Sequence, residues 1–483
     1  MPERKRWPVV WLFALLPLLG WWAYGLLDLD EGFYGAITAE MNRRGEWITP
    51  FYNGKPWFEK PILLYWLAKP SLALFGDLIG PRLPSVLCTF GTYLVVAWFA
   101  RKRFGVAAAQ LAVLILAGSL LVVGAGRMML TDPPLVLCLT AAMLTFWESL
   151  VENPRWRIAT AALIGLAILA KGPVAAILFL LIAGWTYWRE PTLRPRFRGY
   201  WLAGGACMLL IIASWYVPAY LANGKLFVDK FLIEQNIGRF TGGDAAHTLG
   251  IASLPLYVPI LFLGMIPWSI WIWGAWPRWP QTPAPDSPVA QEDLGDASRR
   301  YLAAWGAIVF VFFSISGAKL PHYILPVFPP FAILVGIYLQ DRAWAYRLGL
   351  AMCAAMCLIA NGVFIAWYRI SGQAEAHALI RYVRQAGGDV ALYQLGRRNK
   401  ELGTGKPKLQ ETSLPSLLLY LDKNALDTDN FGEILSHRGP ILVFTRANRV
   451  RIEDFATAAK AGRRLEELFP TVKLENFKLY RVR

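Results

Sequence analysis

Residues 83–124 read LPSVLCTFGTYLVVAWFA, then RKRFG, then VAAAQLAVLILAGSLLVVG. Each apolar stretch approaches the roughly 20 residues that a helix needs to cross a bilayer. The short turn between them carries Arg101, Lys102 and Arg103, and basic residues accumulate at the cytoplasmic ends of membrane spans. This stretch therefore predicts two membrane-spanning helices joined by a cytoplasmic turn.

The composition of the whole chain agrees with this interpretation. Of its 483 residues, 56% are hydrophobic and 17% are charged, with a mean hydropathy of +0.39. Soluble domains are about 45–50% apolar and about 25% charged, so the composition argues against an ordinary cytoplasmic enzyme and excludes a disordered chain. The net charge of +16 is spread over short turns rather than gathered on one soluble face, which predicts no nucleic-acid partner.

Nine further apolar runs repeat this pattern, so the predicted fold class is a polytopic α-helical membrane protein with about 11 transmembrane helices. A break at Lys171-Gly172-Pro173 separates two of the shorter runs. The apolar runs are 8–27, 83–100, 106–124, 134–150, 157–170, 173–188, 200–221, 255–276, 301–316, 323–340 and 346–367.

The distribution of basic residues predicts the orientation of these spans. With the basic start of the chain in the cytoplasm, every even-numbered span ends at an inner cluster of arginines or lysines. The outer segments are then the loop 28–82, the stretch around Asp132, residues 222–254, the turn 316–323 and the tail. We expect a membrane domain over 1–369 and a soluble α/β domain over 370–483, with strands at 390–395, 441–445 and 472–482 and a helix at 449–461.

The first outer loop begins with three carboxylates, Asp28, Asp30 and Glu31. Apolar residues then recur at helical spacing, which predicts a short amphipathic helix on the membrane surface. Asp28 or Asp30 is positioned to cap that helix. The functional alternative for Asp30 is a carboxylate that faces a cavity and acts as a general base or a polar anchor.

Later in the loop, Pro61 suits the first turn of a second short helix over 62–68. Lys60 would then lie beside the unpaired backbone N–H groups of that helix, an arrangement that suits a phosphate. The alternative is an ordinary interfacial lysine paired with Glu59.

Other outer residues carry similar alternatives. Asp132 begins the fourth span and is either a helix cap or a functional acid, and Lys171 either extends to the interface or binds phosphate. Arg239 is a further outer cation. His247 and His322 are either satisfied structurally or bind a metal. Together, acids and cations at the outer ends of spans predict chemistry on a phosphate-bearing lipid.

These residues resemble the ArnT-like group of bacterial aminoarabinose transferases, within the GT-C class that includes protein mannosyltransferases. The resemblance covers most of the chain, and Glu234-Gln235-Asn236 stands where the family often has Glu-His-Asn. The matching strings are Asp30-Glu31-Gly32-Phe33-Tyr34, Trp47-Ile48-Thr49-Pro50, Asn53-Gly54-Lys55-Pro56, Phe58-Glu59-Lys60-Pro61, Arg82-Leu83-Pro84-Ser85, Thr131-Asp132-Pro133, Lys171-Gly172-Pro173, Asn236 to Phe240, Pro267-Trp268 and Lys319-Leu320-Pro321-His322-Tyr323.

The resemblance implies an inverting glycosyltransferase of the bacterial inner membrane. Its donor would be a sugar on a polyprenyl phosphate, undecaprenyl in bacteria, and its acceptor on the periplasmic face would be lipid A. Proteins or other glycoconjugates are the alternative acceptors. A transporter or flippase for a lipid-linked sugar is the rival class, but it should place charges deep within spans and show internal repeats.

The resemblance also assigns roles to particular residues. Asp30 would be the catalytic carboxylate, with Glu31 beside it as a supporting acid. The donor phosphate site would draw on residues from several loops, and Asp132 would be the second outer acid. A divalent metal ion is a possible cofactor under this resemblance, with His247 and Glu59 as candidate ligands. The donor-site residues are Glu59, Lys60, Lys171, Arg239 and Tyr323.

Overall fold

A computed structural model of the chain describes residues 3–28, 30–238, 255–277, 291–317, 319–395, 414–450, 452–469 and 474–483. Helices dominate the part up to residue 370, in agreement with the predicted fold class. They are α1 (Trp7–Leu15), α2 (Asp30–Arg44), α3 (Leu63–Ile79), α4 (Leu83–Phe104), α5 (Val106–Ala117), α6 (Leu120–Gly126), α7 (Asp132–Val151), α8 (Trp156–Lys171), α9 (Val174–Arg189), α10 (Trp201–Asn223), α11 (Tyr257–Gly264), α12 (Trp268–Ala275), α13 (Gln291–Ile315), α14 (Phe328–Leu339) and α15 (Ala343–Ile370).

By length and composition, six of the described helices are able to cross a membrane. The count rises to eight if two bent pairs, α5 with α6 and α11 with α12, are each one span. Every one of the eleven apolar runs coincides with at least one helix, but several helices are short or broken. The chain is thus a multi-pass membrane protein, and the exact number of eleven spans stays a prediction.

The described residues divide into two compact units. The first contains residues 1–20, 58–66 and 82–361, and the second contains 21–57, 67–81 and 362–483. In the first unit α7 packs against α4 and α8, and α5 packs against α4 and α14. At the contact of α5 with α14, a Cβ on Gly336 would lie 2.8 Å from the carbonyl oxygen of Ala108, because small residues let apolar helices approach closely.

The burial of individual helices separates interior from lipid-facing positions. In the most apolar 18-residue stretch of each helix, 83% of the residues are buried in α7 and 17% in α10. The exposed side of α10 consists of large apolar side chains, including Leu202 and Leu210. An apolar surface of this extent would be unfavourable in water, so it fits contact with lipid tails.

In the second unit, the helix predicted for the first outer loop forms as α2, but it is not amphipathic. Burial is continuous from Glu31 to Met41, and a helix from the tail and the strand Phe51–Tyr52 both pack on α2. That tail helix, α17, spans Ser416–Leu421 and packs directly on α2. The second loop helix, α3, begins near the predicted residue but runs on to Ile79. Two short strands, β1 (Phe51–Tyr52) and β2 (Lys55–Pro56), form a hairpin between α2 and α3.

The tail forms the predicted α/β structure. Its sheet has the order β4-β3-β5-β7-β6, with β3 parallel to β4 and β5, and β7 antiparallel to β5 and β6. The predicted strands correspond to β3, β5 and β7, whereas β4 and β6 are too short to stand out in sequence. The strands are β3 (Asp389–Tyr393), β4 (Leu426–Thr428), β5 (Ile441–Arg446), β6 (Leu465–Leu468) and β7 (Phe477–Val482), and the helices are α16 (Gln373–Ala386), α17, α18 (Phe431–Leu435) and α19 (Ile452–Lys460).

Candidate active site

A cavity of about 180 Å³ lies in the first unit. One part of its wall is charged or polar, and another part is aliphatic and aromatic. A lining of this kind can hold a charged headgroup together with the first part of an apolar chain. The polar lining residues are Glu59, Lys60, Lys171, Gln235, Ser316 and Tyr323, and the apolar ones include Ile177, Phe231, Phe312 and Phe313.

Lys171 reaches this cavity because helix α8 ends there. Gly172 has a φ of +91°, which a residue without a Cβ adopts easily and which stops the helix. The Lys171 ammonium therefore lies at a helix C-terminus, where a positive charge is favoured. Its Nζ is 2.5 Å from Asp132 Oδ1 and 4.0 Å from the centre of the Tyr323 ring.

Asp132 is the first residue of α7 and is buried, at 2% exposure. Its carboxylate contacts Lys171 through Oδ1 and lies 3.7 Å from His322 Nε2 through Oδ2. The N-cap position belongs to Thr131, and no side chain caps this helix. The alternative of Asp132 as a helix cap is therefore wrong, and its carboxylate instead holds Lys171 in place.

Lys60 and Glu59 line the same cavity from the segment that precedes α3. Helix α3 begins at Leu63, so Lys60 is three positions before the helix rather than directly at its first turn. Lys60 is close enough to Asp132 to act on it electrostatically. Burial, with a smaller contribution from Glu59, raises the pKa of the Tyr65 phenol well above its usual value.

Tyr323 belongs to a 3₁₀ helix, Pro321–Val327, that follows α13. Its ring packs 5.1 Å from His322 and 6.0 Å from Phe313, measured between ring centres. Lys319 stabilises the preceding turn, because its Nζ donates hydrogen bonds to the carbonyl oxygens of Ser314 and Ser316 at 2.7 and 2.6 Å. Burial lowers the pKa of Lys319, and its contacts give it a structural task in aligning this turn.

The structure thus brings together five of the predicted residues, Glu59, Lys60, Asp132, Lys171 and Tyr323. It adds His322, which the sequence analysis did not connect with Asp132. The only sequence signal for that role is its position directly before Tyr323, inside the matching string 319–323.

Asp30 and Glu31 belong to the second unit. Asp30 is the first residue of α2 and is partly exposed, whereas Glu31 is fully buried. Glu31 Oε2 accepts a hydrogen bond from the backbone N–H of Leu27 at 2.9 Å. Arg239 and His247 lie outside the described residues.

The donor set near Glu59 does not fit a metal ion. Within the described part of the chain, no group of three or more His, Cys, Asp or Glu side chains is arranged to hold one. Lys171 and Lys60, which act on the Asp132 carboxylate together with His322, are cations and not metal ligands.

Comparison with known proteins gives agreement at the level of sequence and of fold. A sequence profile described as dolichyl-phosphate-mannose-protein mannosyltransferase matches residues 59–217. An undecaprenyl phosphate-alpha-4-amino-4-deoxy-L-arabinose arabinosyl transferase of Edwardsiella ictaluri is 33% identical over 344 residues, which are 68% of this chain and 58% of the relative. The transferase of the same name from Aeromonas salmonicida is 33% identical over 70% of this chain and 60% of its own length.

An uncharacterised protein of Aquifex aeolicus is 32% identical over 72% of this chain and 76% of its own length. The crystal structure of ArnT from Cupriavidus metallidurans bound to undecaprenyl phosphate superposes with a TM-score of 0.75 at 20% identity, covering 98% of each chain. The chain belongs to the ArnT-like family of GT-C membrane proteins. The mannosyltransferase profile over 59–217 includes Glu59, Lys60, Asp132 and Lys171.

The chain matches only part of the length of the two arabinosyl transferases. The matched segment spans 58% and 60% of the Edwardsiella and Aeromonas relatives, respectively.

Proposed function

We propose that this chain is a glycosyltransferase that moves a sugar from a polyprenyl-phosphate carrier, undecaprenyl phosphate, to an acceptor in the bacterial envelope. The first candidate pair is aminoarabinose as the sugar and lipid A as the acceptor, following the names of the relatives. The reaction would take place on the periplasmic face of the inner membrane, with eleven spans over 1–369 and the tail 370–483 outside.

The observation that carries the proposal is the pairing of Lys60 and Lys171 with an apolar wall in one cavity. Two ammonium groups suit the phosphate of the carrier, since ammonium ions are effective point-charge partners of phosphate. The aromatic residues Phe312 and Phe313 suit the first isoprene units. A soluble nucleotide sugar would have no use for such a wall.

In the proposed step, the bond between the anomeric carbon and the carrier phosphate oxygen breaks while the acceptor oxygen bonds to that carbon from the opposite face. The electron pair of the breaking bond passes to the phosphate, which leaves as a monoester. Lys60 and Lys171 offset the charge that grows there, and preorganised cations at such a position accelerate a reaction strongly. Asp132 and Tyr323 keep Lys171 directed at the phosphate.

Asp30 is proposed as the reactive carboxylate. If the acceptor is a hydroxyl, Asp30 removes its proton as the new bond forms. If the acceptor is a phosphate, that group is already ionised, and Asp30 orients the donor sugar or stabilises the positive charge that develops on it. Glu31, held by the Leu27 N–H, supports the first turn of the helix that carries Asp30.

The experiment is to replace Asp30 by Asn in the full-length protein and measure transfer from a synthetic polyprenyl-phosphate sugar. We expect transfer to fall by at least about 100-fold, since removal of an acting acid–base group costs about 10²–10⁴. Asp77→Asn is the matched control, because Asp77 is a half-buried acid of the same unit that pairs with Arg381 at 3.3 Å. Full activity of Asp30→Asn, or an equal loss in both variants, would overturn the assignment.

A second candidate has support from the mannosyltransferase profile over 59–217. Under that alternative, the donor sugar is a hexose and the acceptor is a protein or another glycoconjugate. Mass spectrometry of lipid A and of envelope glycoproteins, with and without the gene, separates the two. An aminopentose increment on lipid A supports the first candidate, and a hexose increment on protein supports the second.

A further inference from the structure

In the second unit, a chain of hydrogen bonds connects the segment before α2 with the tail. Asp28 Oδ1 accepts from the backbone N–H of Ser416 at 2.9 Å, and Asp28 Oδ2 accepts from the Ser416 hydroxyl at 2.7 Å. Ser416 Oγ is 2.8 Å from His377 Nε2, and His377 Nδ1 is 2.9 Å from the Tyr368 hydroxyl. We call Asp28, Ser416 and His377 the loop–tail clamp.

The proton positions in the clamp follow from the donors and acceptors present. When Asp28 is ionised, the single hydroxyl proton of Ser416 goes to Asp28, so Ser416 Oγ accepts from His377 through an Nε2–H and the other ring nitrogen accepts from the Tyr368 hydroxyl. When Asp28 is neutral, its own proton goes to Ser416 Oγ, the Ser416 hydroxyl donates to His377 Nε2, and His377 Nδ1–H donates to Tyr368. Ser416 and His377 are buried, at 0% and 1% exposure, and an unsatisfied group at such a place would be costly.

Two glycines permit this close approach. A Cβ on Gly32 would lie 1.9 Å from Asp28 Oδ1 and 2.6 Å from Ser416 N. A Cβ on Gly25 would lie 2.5 Å from His377 Nδ1. Either contact is shorter than atoms tolerate, so both backbone positions need glycine for the clamp to close.

The segment between these glycines is held at more than one point. Beside the bonds of Asp28, the backbone N–H of Leu26 donates to the Tyr420 hydroxyl at 2.7 Å. The backbone N–H of Leu27 donates to Glu31. Asp30 follows Asp28 by two residues and begins α2, so the clamp determines where the first turn of that helix lies within this unit.

This inference rests on the proposed role of Asp30 in the transfer. We propose that Asp28, Ser416 and His377 are positioning residues, which fix the Asp30 carboxylate by clamping the start of α2 to the tail. These three residues need not touch the substrate. They would affect the rate of transfer by holding the segment 25–32 in place. Catalysis is sensitive to such placement, because an error of about 1 Å can cost about 100-fold.

The electrostatics of the clamp make it sensitive to pH. Burial raises the pKa of Asp28 to about 7, the two hydrogen bonds from Ser416 oppose that rise, and the neighbouring Glu31 adds to it. Other titratable or charged groups that face this region are His377 on α16, Tyr368 on α15, Tyr420 on α17, Asp30 on α2 and Arg381, whose guanidinium lies 4.7 Å from the Tyr420 ring centre.

The direction of the pH effect follows from the raised pKa. A carboxyl group whose pKa is higher in the folded protein than in the unfolded protein contributes most to stability at pH values below its pKa in the unfolded protein. That contribution is lost as the pH rises through about 7, where Asp28 becomes charged beside Glu31. We therefore expect the clamp to loosen, and transfer to decline, as the pH rises through this region.

The test compares Asp28→Ala with Asp28→Asn in the full-length protein. Asparagine keeps an oxygen for the Ser416 N–H and an NH₂ group for the Ser416 hydroxyl, so it resembles the neutral acid and preserves the clamp. Alanine removes both contacts. We expect Asp28→Ala to lower kcat roughly tenfold to 100-fold with little change in the KM for the donor. Asp28→Asn should keep most of kcat and should lack the decline near pH 7.

Ser416→Ala gives an independent variant in case Asp28→Ala does not fold. It should lower kcat in the same way and move the decline to higher pH, because the hydroxyl bond that lowers the Asp28 pKa is gone. Ser436→Ala is the control, since Ser436 is an exposed tail serine that donates only to the carbonyl of Glu433 in the described structure. Unchanged kcat in Asp28→Ala and Ser416→Ala, or a wild-type pH profile in Asp28→Asn, would overturn the proposal.

Amide hydrogen exchange separates this proposal from the proposed function. Exchange in residues 25–34 should be faster in Asp28→Ala than in the wild type and Asp28→Asn, whatever the role of Asp30. If Asp30→Asn is active but exchange behaves as expected, the catalytic assignment fails and the clamp stands as a structural device. If exchange is equal in all three proteins, the clamp itself is wrong.

Discussion

Two groups of charged residues in the first unit are similar in composition but differ in what they are suited to do. The cavity cluster consists of Glu59, Lys60, Asp132, Lys171, His322 and Tyr323. The closed cluster consists of Lys102 and Arg103 at the end of α4 and Glu148 and Glu152 at the end of α7. In both, a buried acid on α7 contacts a cation near a helix end.

The difference lies in how each cation is held. Arg103 donates to both oxygens of Glu148, through Nε at 2.7 Å and through Nη2, while Lys102 lies 2.9 Å from the same carboxylate. A guanidinium in such a fork is fixed in geometry. Lys171 instead has one contact with Asp132 and a ring face beside it, and a lysine ammonium can exchange such a partner for a phosphate. The comparison predicts that a cation suited to bind phosphate has an exchangeable partner and lies next to a cavity.

The largest effect is expected for Lys60→Met. It removes a phosphate partner from the cavity cluster, so transfer should fall by about 10²–10³, as when one preorganised group at a developing charge is removed. Steady-state transfer with a polyprenyl-phosphate sugar is the measurement. Lys102→Met is the matched control in the closed cluster, because Arg103 still neutralises Glu148 there. Equal losses in the two variants would remove the distinction between the clusters.

A somewhat smaller effect, on stability rather than on chemistry, is expected for Glu148→Ala. The change leaves Arg103 without its fully buried partner, and loss of one member of a buried pair costs about 3–5 kcal/mol. The lower end applies, since the Arg103 side chain keeps 20% exposure. Thermal unfolding in detergent should show a lowered Tm, with normal transfer per folded molecule. Loss of transfer without a change in Tm would contradict a purely structural role.

A smaller effect again is expected for Lys171→Arg, which places a guanidinium in the cavity cluster. The guanidinium should bind Asp132 through two N–H donors and release it less readily than an ammonium does. Transfer should therefore fall roughly tenfold, which is less than the loss of a whole electrostatic contact at the reacting group would cost. Arg103→Lys is the reciprocal change in the closed cluster and should leave transfer within about twofold. If Lys171→Arg retains full activity, an exchangeable partner is not what distinguishes the cavity cluster.

Much of the cavity cluster could be predicted from local sequence. Lys171 stands before Gly172-Pro173, a pair that ends one helix and begins the next, and Asp132 stands before two prolines at the start of a span. Both residues were therefore predicted to lie at helix ends on the same face. Their contact was not predicted, because 39 residues separate them and no local rule relates the ends of two different helices.

The loop–tail clamp shows the opposite case. Asp28 was interpreted as a helix cap from its position before an apolar helical pattern, and nothing in the tail marked Ser416 or His377. The structure gives both oxygens of Asp28 to Ser416 instead, across 388 positions of sequence. Helix α2 is buried continuously from Glu31 to Met41, so it has no exposed polar face there and the predicted amphipathic helix does not occur.

The sequence by itself determined that this is a multi-pass membrane protein with an α/β tail, because apolar runs, helix-ending Gly-Pro pairs and strand alternation are local properties of the chain. It also determined the residue types available for phosphate chemistry. Only the tertiary structure decided that Asp132 holds Lys171 beside Tyr323, and that Asp28 bonds to Ser416. These contacts join distant segments, and the free energy that selects them comes from packing and burial, which no local pattern contains.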